Sequence, residues 1–235
     1  MAAAAARPGL GFVSPTKPIS HGGPSCILSK GVTGSPESHR YYLARRTVLE
    51  MLRDRGCLVD ESEIGWSLEE FRAVFGDSPE PDQLRICAPL ASRPSKKILV
   101  IFSGPADINK AKAIFILMNI LNKESLHRII IVLQGNMNHF ARKEFDSCQV
   151  KVEYFPITEL FVIIKTHVAM PKIEALTAEE KEWLLLKYKI DDIQLPSMKE
   201  SDAISRYYGL EKKQVVKVTY SGEITGHFVN YCYVI

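Results

Sequence analysis

Carboxylates and a lysine that could bind a metal ion for nucleic-acid cleavage are the first residues to test. Lys151 and Glu153 project from one side of a short β-branched segment. Metal-assisted cleavage needs several acidic ligands around the ion, and in a small α/β domain these would stand at adjacent strand ends. Asp82 is one candidate, but Glu179 and Glu180 stand on a separate predicted helix, and the six histidines show no paired ligand spacing. We therefore predict no catalytic residue and no metal site.

Two further motifs suggest chemistry only superficially. Cys148 and His139 could form a nucleophile pair if the fold brought them together, but a buried core cysteine is the interpretation we favour. The segment Ser103-Gly104-Pro105 follows a predicted strand and precedes a helix, as a phosphate-binding loop does. It lacks the second glycine and the Lys-Ser/Thr pair that hold phosphates and a metal. No cofactor is predicted.

The segment from Gln134 to Lys143 is more informative. It follows a buried strand and therefore lies at the carboxyl edge of the predicted sheet. Arg142 and Lys143 follow a polar tip formed by Asn138 and His139, so the segment could approach a phosphate backbone. On these residues alone, an ordinary exposed loop is the favoured interpretation.

Composition narrows the class of protein. The chain has 235 residues, 46% of them hydrophobic, which is ample for a buried core. Its net charge of +3 excludes a protein that coats nucleic acid by bulk charge, although a local basic patch stays open. No apolar run reaches the length of a membrane span, so no membrane partner is expected. The five cysteines are scattered and odd in number, which favours reduced thiols in an intracellular compartment.

The first elements are helices. Apolar residues at helical spacing predict a helix over Ser38–Arg55, capped by Ser38 and stopped by Gly56. Four arginines are expected on its solvated polar side: Arg45, Arg46, Arg53 and Arg55. Ser67 and Glu70 form a capping-box pattern that opens a second helix.

An alternation of strands and helices follows. Strands are predicted over Leu84–Pro89, Lys97–Phe102, Arg128–Leu133 and Val150–Phe155. Between them, a helical stripe is formed by Ile108, Ala111, Phe115, Met118 and Leu121. This order argues for a small α/β layer structure with parallel strands.

The remainder predicts a smaller α+β unit. Thr177 and Glu180 open a helix that runs to about Tyr188, and Asp202 caps a short helix that Gly209 ends. Two runs, Val215–Tyr220 and Phe228–Val234, predict an antiparallel hairpin. We therefore divide the chain into a tail over residues 1–36, an α/β domain over 37–165 and an α+β domain over 166–235. The tail is rich in Ala, Gly, Pro and Ser, which indicates disorder or, alternatively, an organelle transit peptide.

The second domain resembles the fifth subunit of eukaryotic nuclear RNA polymerases and its archaeal counterpart. The resemblance rests on a set of segments in fixed order: Leu176-Thr177-Ala178-Glu179-Glu180-Lys181, Gln194-Leu195-Pro196, Arg206-Tyr207-Tyr208-Gly209-Leu210 and Gln214-Val215-Val216-Lys217-Val218. The first domain is similar to the same family through Ser38-His39-Arg40-Tyr41-Tyr42 and Met51-Leu52-Arg53-Asp54-Arg55-Gly56. Residues 38–235 are covered.

The resemblance implies a fold and a role. It implies a nuclease-like α/β jaw domain with a three-layer sheet and no known activity, followed by a compact assembly domain with a C-terminal hairpin. It also implies a non-catalytic nuclear subunit that docks on the largest polymerase subunit, near the sixth, with its jaw facing downstream duplex DNA. The DNA-facing element of the family corresponds to the segment bearing Asn138, His139, Arg142 and Lys143.

Docking is expected through the short helix and the hairpin. The aromatic and aliphatic residues there are typical interface anchors, with core packing as the alternative. The expected interface residues are Asp202, Arg206, Tyr207, Tyr208, Leu210 and Val216.

Departures from the usual family sequence point to a paralogue. Leu195-Pro196-Ser197-Met198 and Asp202-Ala203 replace more typical segments, and the hairpin loop contains Tyr220-Ser221-Gly222-Glu223. These changes resemble the plant paralogue of RNA polymerase V, which works in RNA-directed DNA methylation. The alternatives are the shared fifth subunit of polymerases I, II and III, or a stand-alone nuclease-like enzyme.

Overall fold

The computed structural model describes residues 34–120, 123–163, 170–222 and 226–235. The predicted tail lies almost entirely outside these residues, as does the predicted domain boundary at 165. Residues 35–235 form one compact unit. We refer to residues 34–163 as the N-terminal lobe and to residues 170–235 as the C-terminal lobe, because each contains its own sheet.

The N-terminal lobe is built on a four-stranded sheet with the order β1-β2-β3-β4. Its strands are β1 (Ile86–Leu90), β2 (Arg93–Phe102), β3 (Leu126–Leu133) and β4 (Lys151–Pro156). Its helices are α1 (Pro36–Asp54), α2 (Glu61–Ile64), α3 (Leu68–Phe75), α4 (Lys110–Met118) and α5 (His139–Asp146). Strands β2, β3 and β4 pair in parallel, as predicted, and β1 adds to β2 in antiparallel orientation.

Both faces of this sheet are covered. Alternate residues of β3 point to opposite sides: Ile130 packs with α1 and α3, while Ile129 and Ile131 pack with α4 and α5. Burial on both faces explains why β3 is apolar without alternation from Ile129 to Leu133. The lobe therefore has three layers, with helices on either side of the sheet.

Helix α1 begins earlier than predicted. Ser35, not Ser38, is its cap and accepts a hydrogen bond from the Glu37 amide, while Ser38 is buried inside the first turn. Pro36 is therefore the first helical residue, where its missing N–H costs nothing. Gly56 adopts a positive φ of 79° directly after the helix, as predicted.

The prediction that four arginines of α1 lie on a solvated face is wrong for two of them. Arg46 is exposed and Arg53 is half-exposed, but Arg45 is buried. The Arg45 guanidinium forms an ion pair of 2.6 Å with Glu63 and lies over the Phe75 ring. The Arg55 side chain is only 4% exposed and pairs with a carboxylate of β4. Both buried guanidiniums have acidic partners, which is the condition under which arginine enters an interior.

Helix α4 buries a different face from the predicted stripe. Ala113 and Ile116 are buried, as is Ile120 just after the helix, whereas Phe115 and Met118 are exposed. Leu121, the last residue of that stripe, lies outside the described residues. The sequence of α4 is apolar on all sides, so spacing alone does not distinguish the inner face from the outer one.

The C-terminal lobe carries a second four-stranded sheet in the order β5-β7-β8-β6. Its strands are β5 (Lys172–Ala175), β6 (Ser197–Met198), β7 (Val215–Gly222) and β8 (Gly226–Val234), and its helices are α6 (Ala178–Tyr188) and α7 (Ala203–Tyr208). The antiparallel β7–β8 hairpin is present as predicted. Thr177 and Glu180 form the predicted capping box of α6, and Asp202 caps α7. Gly209 ends α7 with a φ of 63°.

Candidate nucleic-acid and subunit interfaces

Two loops meet at the carboxyl edge of the first sheet. The loop after β2 and the loop after β3 are joined by a parallel bridge between Ile108 and Met137. The Ile108 amide donates to the Asn136 carbonyl at 2.8 Å, and the Asp107 side chain accepts from the Asn136 amide at 2.9 Å. A Cβ atom at Gly135 would lie only 2.5 Å from the carbonyl oxygen of Pro105. The two loops therefore form one tightly packed edge.

A tyrosine supports this edge from beneath. The hydroxyl of Tyr41, a buried residue of α1, donates to the Gln134 side chain at 2.6 Å. Burial and the nearby Glu37 carboxylate raise the pKa of Tyr41 to about 12, so the hydroxyl stays protonated and keeps donating at physiological pH. The start of the loop after β3 is thus held in a defined position.

The residues expected to contact DNA lie on a helix and at its cap. Helix α5 begins at His139, and Asn138 caps it by accepting a hydrogen bond from the Ala141 amide at 2.7 Å. The cap occupies the amide oxygen of Asn138 and leaves its NH₂ group available as a donor. His139, Arg142 and Lys143 are all exposed. The polar tip expected from the sequence is therefore the amino end of a helix.

Arg142 is oriented by the neighbouring strand. Its guanidinium lies 5.1 Å from the centre of the Tyr154 ring, and the Tyr154 hydroxyl donates to Asp146 at 2.9 Å. Burial and the Asp146 hydrogen bond raise the pKa of Tyr154, so this hydroxyl remains protonated. Stacking leaves the guanidinium edges free to donate to an anion. Neither α4 nor α5 has an acidic residue in its first turn, while the exposed carboxylate of Asp107 in the loop after β2 accepts from the Asn136 amide at this edge.

Half of the residues expected at the subunit interface are used inside the chain. Tyr207 is 3% exposed, and Leu210 and Val216 are also buried. Tyr207 belongs to the core of the N-terminal lobe, whereas Leu210 and Val216 form the core of the C-terminal lobe. Core packing, the alternative to an interface role, explains their burial.

The other three expected interface residues differ in accessibility. Arg206 is ion-paired with Glu159 at 2.8 Å and donates to the Tyr154 carbonyl at 2.7 Å, so it also acts within the chain. Tyr208 is half-buried against Tyr207. Asp202 is exposed, and its carboxylate accepts from the Ile204 amide at 3.3 Å. Helix α7 therefore connects the two lobes more than it faces outward.

A buried charge cluster lies beside α7 and was not expected from the sequence. Glu153 on β4 pairs with Arg55 at 2.8 Å and with Arg128 on β3, and Arg128 also pairs with Glu211 at 2.5 Å. The charged pair Lys151 and Glu153 on one strand was the available signal. The partners come from distant segments, which spacing cannot reveal.

An exposed apolar surface on α6 was also missed. Only Leu184 of this helix is buried, while Trp183 and Leu186 are 59% and 78% exposed. The Lys187 ammonium lies 4.5 Å from the centre of the Trp183 ring and 5.6 Å from that of Tyr188. Ile193, shortly after the helix, is 82% exposed. We call Trp183, Leu186, Tyr188 and Ile193 the α6 surface.

Within the described residues, no group of three or more His, Cys, Asp or Glu side chains is arranged to hold a metal ion. No helix in the described part of the chain combines the length and apolar character that a membrane crossing requires.

Family comparison finds two matching segments in the chain. Residues 35–117 match the family described as RNA polymerase Rpb5, N-terminal domain, and residues 162–234 match RNA polymerase Rpb5, C-terminal domain. The chain belongs to the Rpb5 family of RNA polymerase subunits. The predicted resemblance is therefore confirmed.

Three members of the family show how similar the chain is to individual polymerase subunits. The DNA-directed RNA polymerase V subunit 5C of Arabidopsis thaliana is 52% identical over 211 residues, covering 89% of this chain and 90% of that protein. The subunit 5A of polymerase V from the same plant is 46% identical over 199 residues, covering 84% and 90%. The RPABC1 subunit of DNA-directed RNA polymerases I, II and III from Caenorhabditis elegans is 34% identical over 202 residues, covering 83% and 95%.

Proposed function

We propose that this chain is a non-catalytic subunit of a plant nuclear DNA-directed RNA polymerase, namely polymerase V, and that it acts there in RNA-directed DNA methylation. Identity of 52% to a polymerase V subunit, against 34% to a subunit shared by polymerases I, II and III, supports this assignment. The shared subunit is the second candidate, supported by similarity across 83% of the chain.

The C-terminal lobe supplies the docking surface for the largest polymerase subunit, with the sixth subunit nearby. The observation that carries this proposal is the α6 surface. Its apolar side chains are exposed on a helix that buries a single residue. Trp183 and Leu186 are three positions apart, and so they share one face of the helix. An exposed tryptophan is typical of the residues that dominate binding energy.

Docking through α6 replaces docking through α7. Tyr207, Leu210 and Val216 already fill cores within the chain, so a partner cannot reach them without opening the fold. The hairpin remains part of the proposed surface, because Tyr220 and Phe228 form an exposed cross-strand pair with ring centres 6.1 Å apart. Such pairs present a rigid apolar patch.

The N-terminal lobe supplies a contact to downstream duplex DNA through α5. Arg142 and Lys143 are exposed near the edge where two helix amino ends meet, and Asn138 offers an NH₂ donor. A polymerase must let DNA slide, so contact with phosphates suits this role better than contact with bases.

Copurification from plant nuclei tests the docking proposal. A tagged chain carrying Trp183→Ala and Leu186→Ala should recover several-fold less of the largest subunit, because truncating a central anchor costs about 2 kcal/mol or more. Val74→Ala is the matched control, since Val74 is 60% exposed on α3 in the other lobe. Unchanged recovery by a folded double variant would reject the α6 surface. Peptides of the recovered largest subunit identify which polymerase holds the chain.

A further inference from the structure

The contacts between the two lobes converge on α7. Arg55, which follows α1, donates from Nε to the Tyr207 carbonyl at 2.8 Å and from Nη2 to the Arg206 carbonyl at 2.6 Å. These carbonyls belong to the last turn of α7, where the helix carries partial negative charge. The buried Arg55 guanidinium of the N-terminal lobe thus donates hydrogen bonds to the carboxyl end of a helix in the C-terminal lobe.

The same guanidinium begins a chain of alternating charges. Arg55 pairs with Glu153, Glu153 with Arg128, and Arg128 with Glu211 of the C-terminal lobe. The side chains of Arg55, Arg128 and Glu153 are 4%, 8% and 14% exposed. We call these four residues the charge cluster. Each buried charge has an opposite neighbour, so none can leave without stranding another.

Gly209 fits between the two guanidiniums. A Cβ at this position would lie 2.8 Å from Arg128 Nη1 and 2.9 Å from Arg55 Cζ. Its φ of 63° is also one that glycine adopts without strain. The backbone of the C-terminal lobe therefore lies directly against the charge cluster.

Two more contacts hold α7 from its other sides. The Tyr207 hydroxyl donates to Asp54 at 3.0 Å, and Arg206 pairs with Glu159 at 2.8 Å. The Tyr207 ring packs into the core of the N-terminal lobe. Every one of these contacts joins α7 to the opposite lobe.

We propose that Arg55 is a positioning residue that fixes the C-terminal lobe to the N-terminal lobe in one orientation, so that the two lobes move as a rigid body. Hydrogen bonds from a planar guanidinium are directional, so the Tyr207 and Arg206 carbonyls, together with the ion-paired Glu153 carboxylate, define a single arrangement. Hydrophobic contact alone would tolerate sliding between the lobes. This inference concerns the chain itself and stands apart from the polymerase assignment.

Distance measurement in the full, free chain tests this proposal. Probes attached by chemistry that spares native thiols are placed at Val74 on α3 and at Ile193 after α6, both of which are exposed. The unmodified chain should give one narrow distance distribution. Arg55→Met should widen it about twofold, since locally stable units separate when their connecting bonds are lost. Arg55→Lys should widen it as well, because a single ammonium does not reproduce the fork.

Arg53→Met is the matched control, because Arg53 lies at the same helix end and its side chain is 38% exposed. A narrow distribution in folded Arg55→Met would overturn the proposal. If Arg55→Met does not fold, Glu211→Gln takes its place, since Glu211 is the half-exposed end of the charge cluster and should give a smaller widening. An unaltered width in that variant would equally overturn it.

Hydrogen exchange separates positioning from general stability. In Arg55→Met, the amides of α7 should exchange several-fold faster while those of central strand β3 keep their wild-type rates. Equal acceleration in α7 and β3 would indicate a purely structural role and contradict the proposal.

Discussion

Glu153 is the residue on which the charge cluster depends. Burial by itself would raise the pKa of its carboxyl, but the charges of Arg55 and Arg128 outweigh burial and lower that pKa below the ordinary value of 4.5. The carboxylate is thus more stable in the folded chain than in the unfolded one. A carboxyl whose folded pKa is depressed contributes stability above the unfolded pKa and loses it as pH falls through the folded value.

The free energy of unfolding should therefore decline as pH falls below about 4.5 and Glu153 takes up a proton. Glu153→Gln should remove part of this decline and should also cost about 3–5 kcal/mol at neutral pH, because it leaves two buried guanidiniums facing each other. Denaturant unfolding at a series of pH values measures both effects. Glu69→Gln, on the exposed side of α3, controls for the substitution itself. A variant with the full wild-type acid dependence would contradict this account.

Elements whose ends are set by neighbouring residues were predictable from the sequence. The capping boxes of α3 and α6 each satisfy their helix ends within four residues, so Ser67 and Thr177 identify them without tertiary information. The inner face of α4 was not predictable, because apolar residues surround that helix and only packing selects among them. A loop followed by a short helix was predicted over Asn136–Ser147, and the structure sets the start of α5 at Asn138, a preferred cap residue whose side chain folds back onto the helix.

The position of Arg142 on a helix allows a specific prediction about its contribution to DNA binding. With its guanidinium stacked on the Tyr154 ring, the side chain has a fixed direction. Arg142→Ala in the assembled polymerase should lower the salt slope of DNA binding by about one unit, with nearly equal effect on every DNA sequence. Affinity measured across a salt series tests this, with Arg46→Ala on α1 as an exposed arginine control. A sequence-selective loss would argue against phosphate contact.

At the scale of the whole molecule, side-chain contacts as well as chain connectivity join the two lobes. Family membership and the order of elements could be predicted from the sequence, since motifs near Thr177 and Arg206 are local strings. The role of α7 could not, because the pattern of Tyr207 and its aromatic neighbour fits an interface as well as a core. The inward direction of α7 follows from contacts with Asp54 and Arg55, more than 150 positions away in sequence.

The contacts between the two lobes predict that the lobes unfold cooperatively. The chain has two tryptophans, Trp66 in the N-terminal lobe and Trp183 in the C-terminal lobe. Trp183→Phe leaves a reporter for the first lobe, and Trp66→Phe leaves one for the second. In each variant, the denaturant midpoint followed by tryptophan fluorescence should equal the midpoint followed by circular dichroism, which reports on the whole chain. This is expected because one network spans both lobes. Two separated midpoints would show independent lobes.

The bridge between Ile108 and Met137 has a consequence for how the chain can change over evolution. Because the loops after β2 and β3 are hydrogen-bonded in register and Gly135 lies against the Pro105 carbonyl, neither loop can lengthen alone without breaking that register. Insertions in related chains should therefore be rare here and should occur in both loops together.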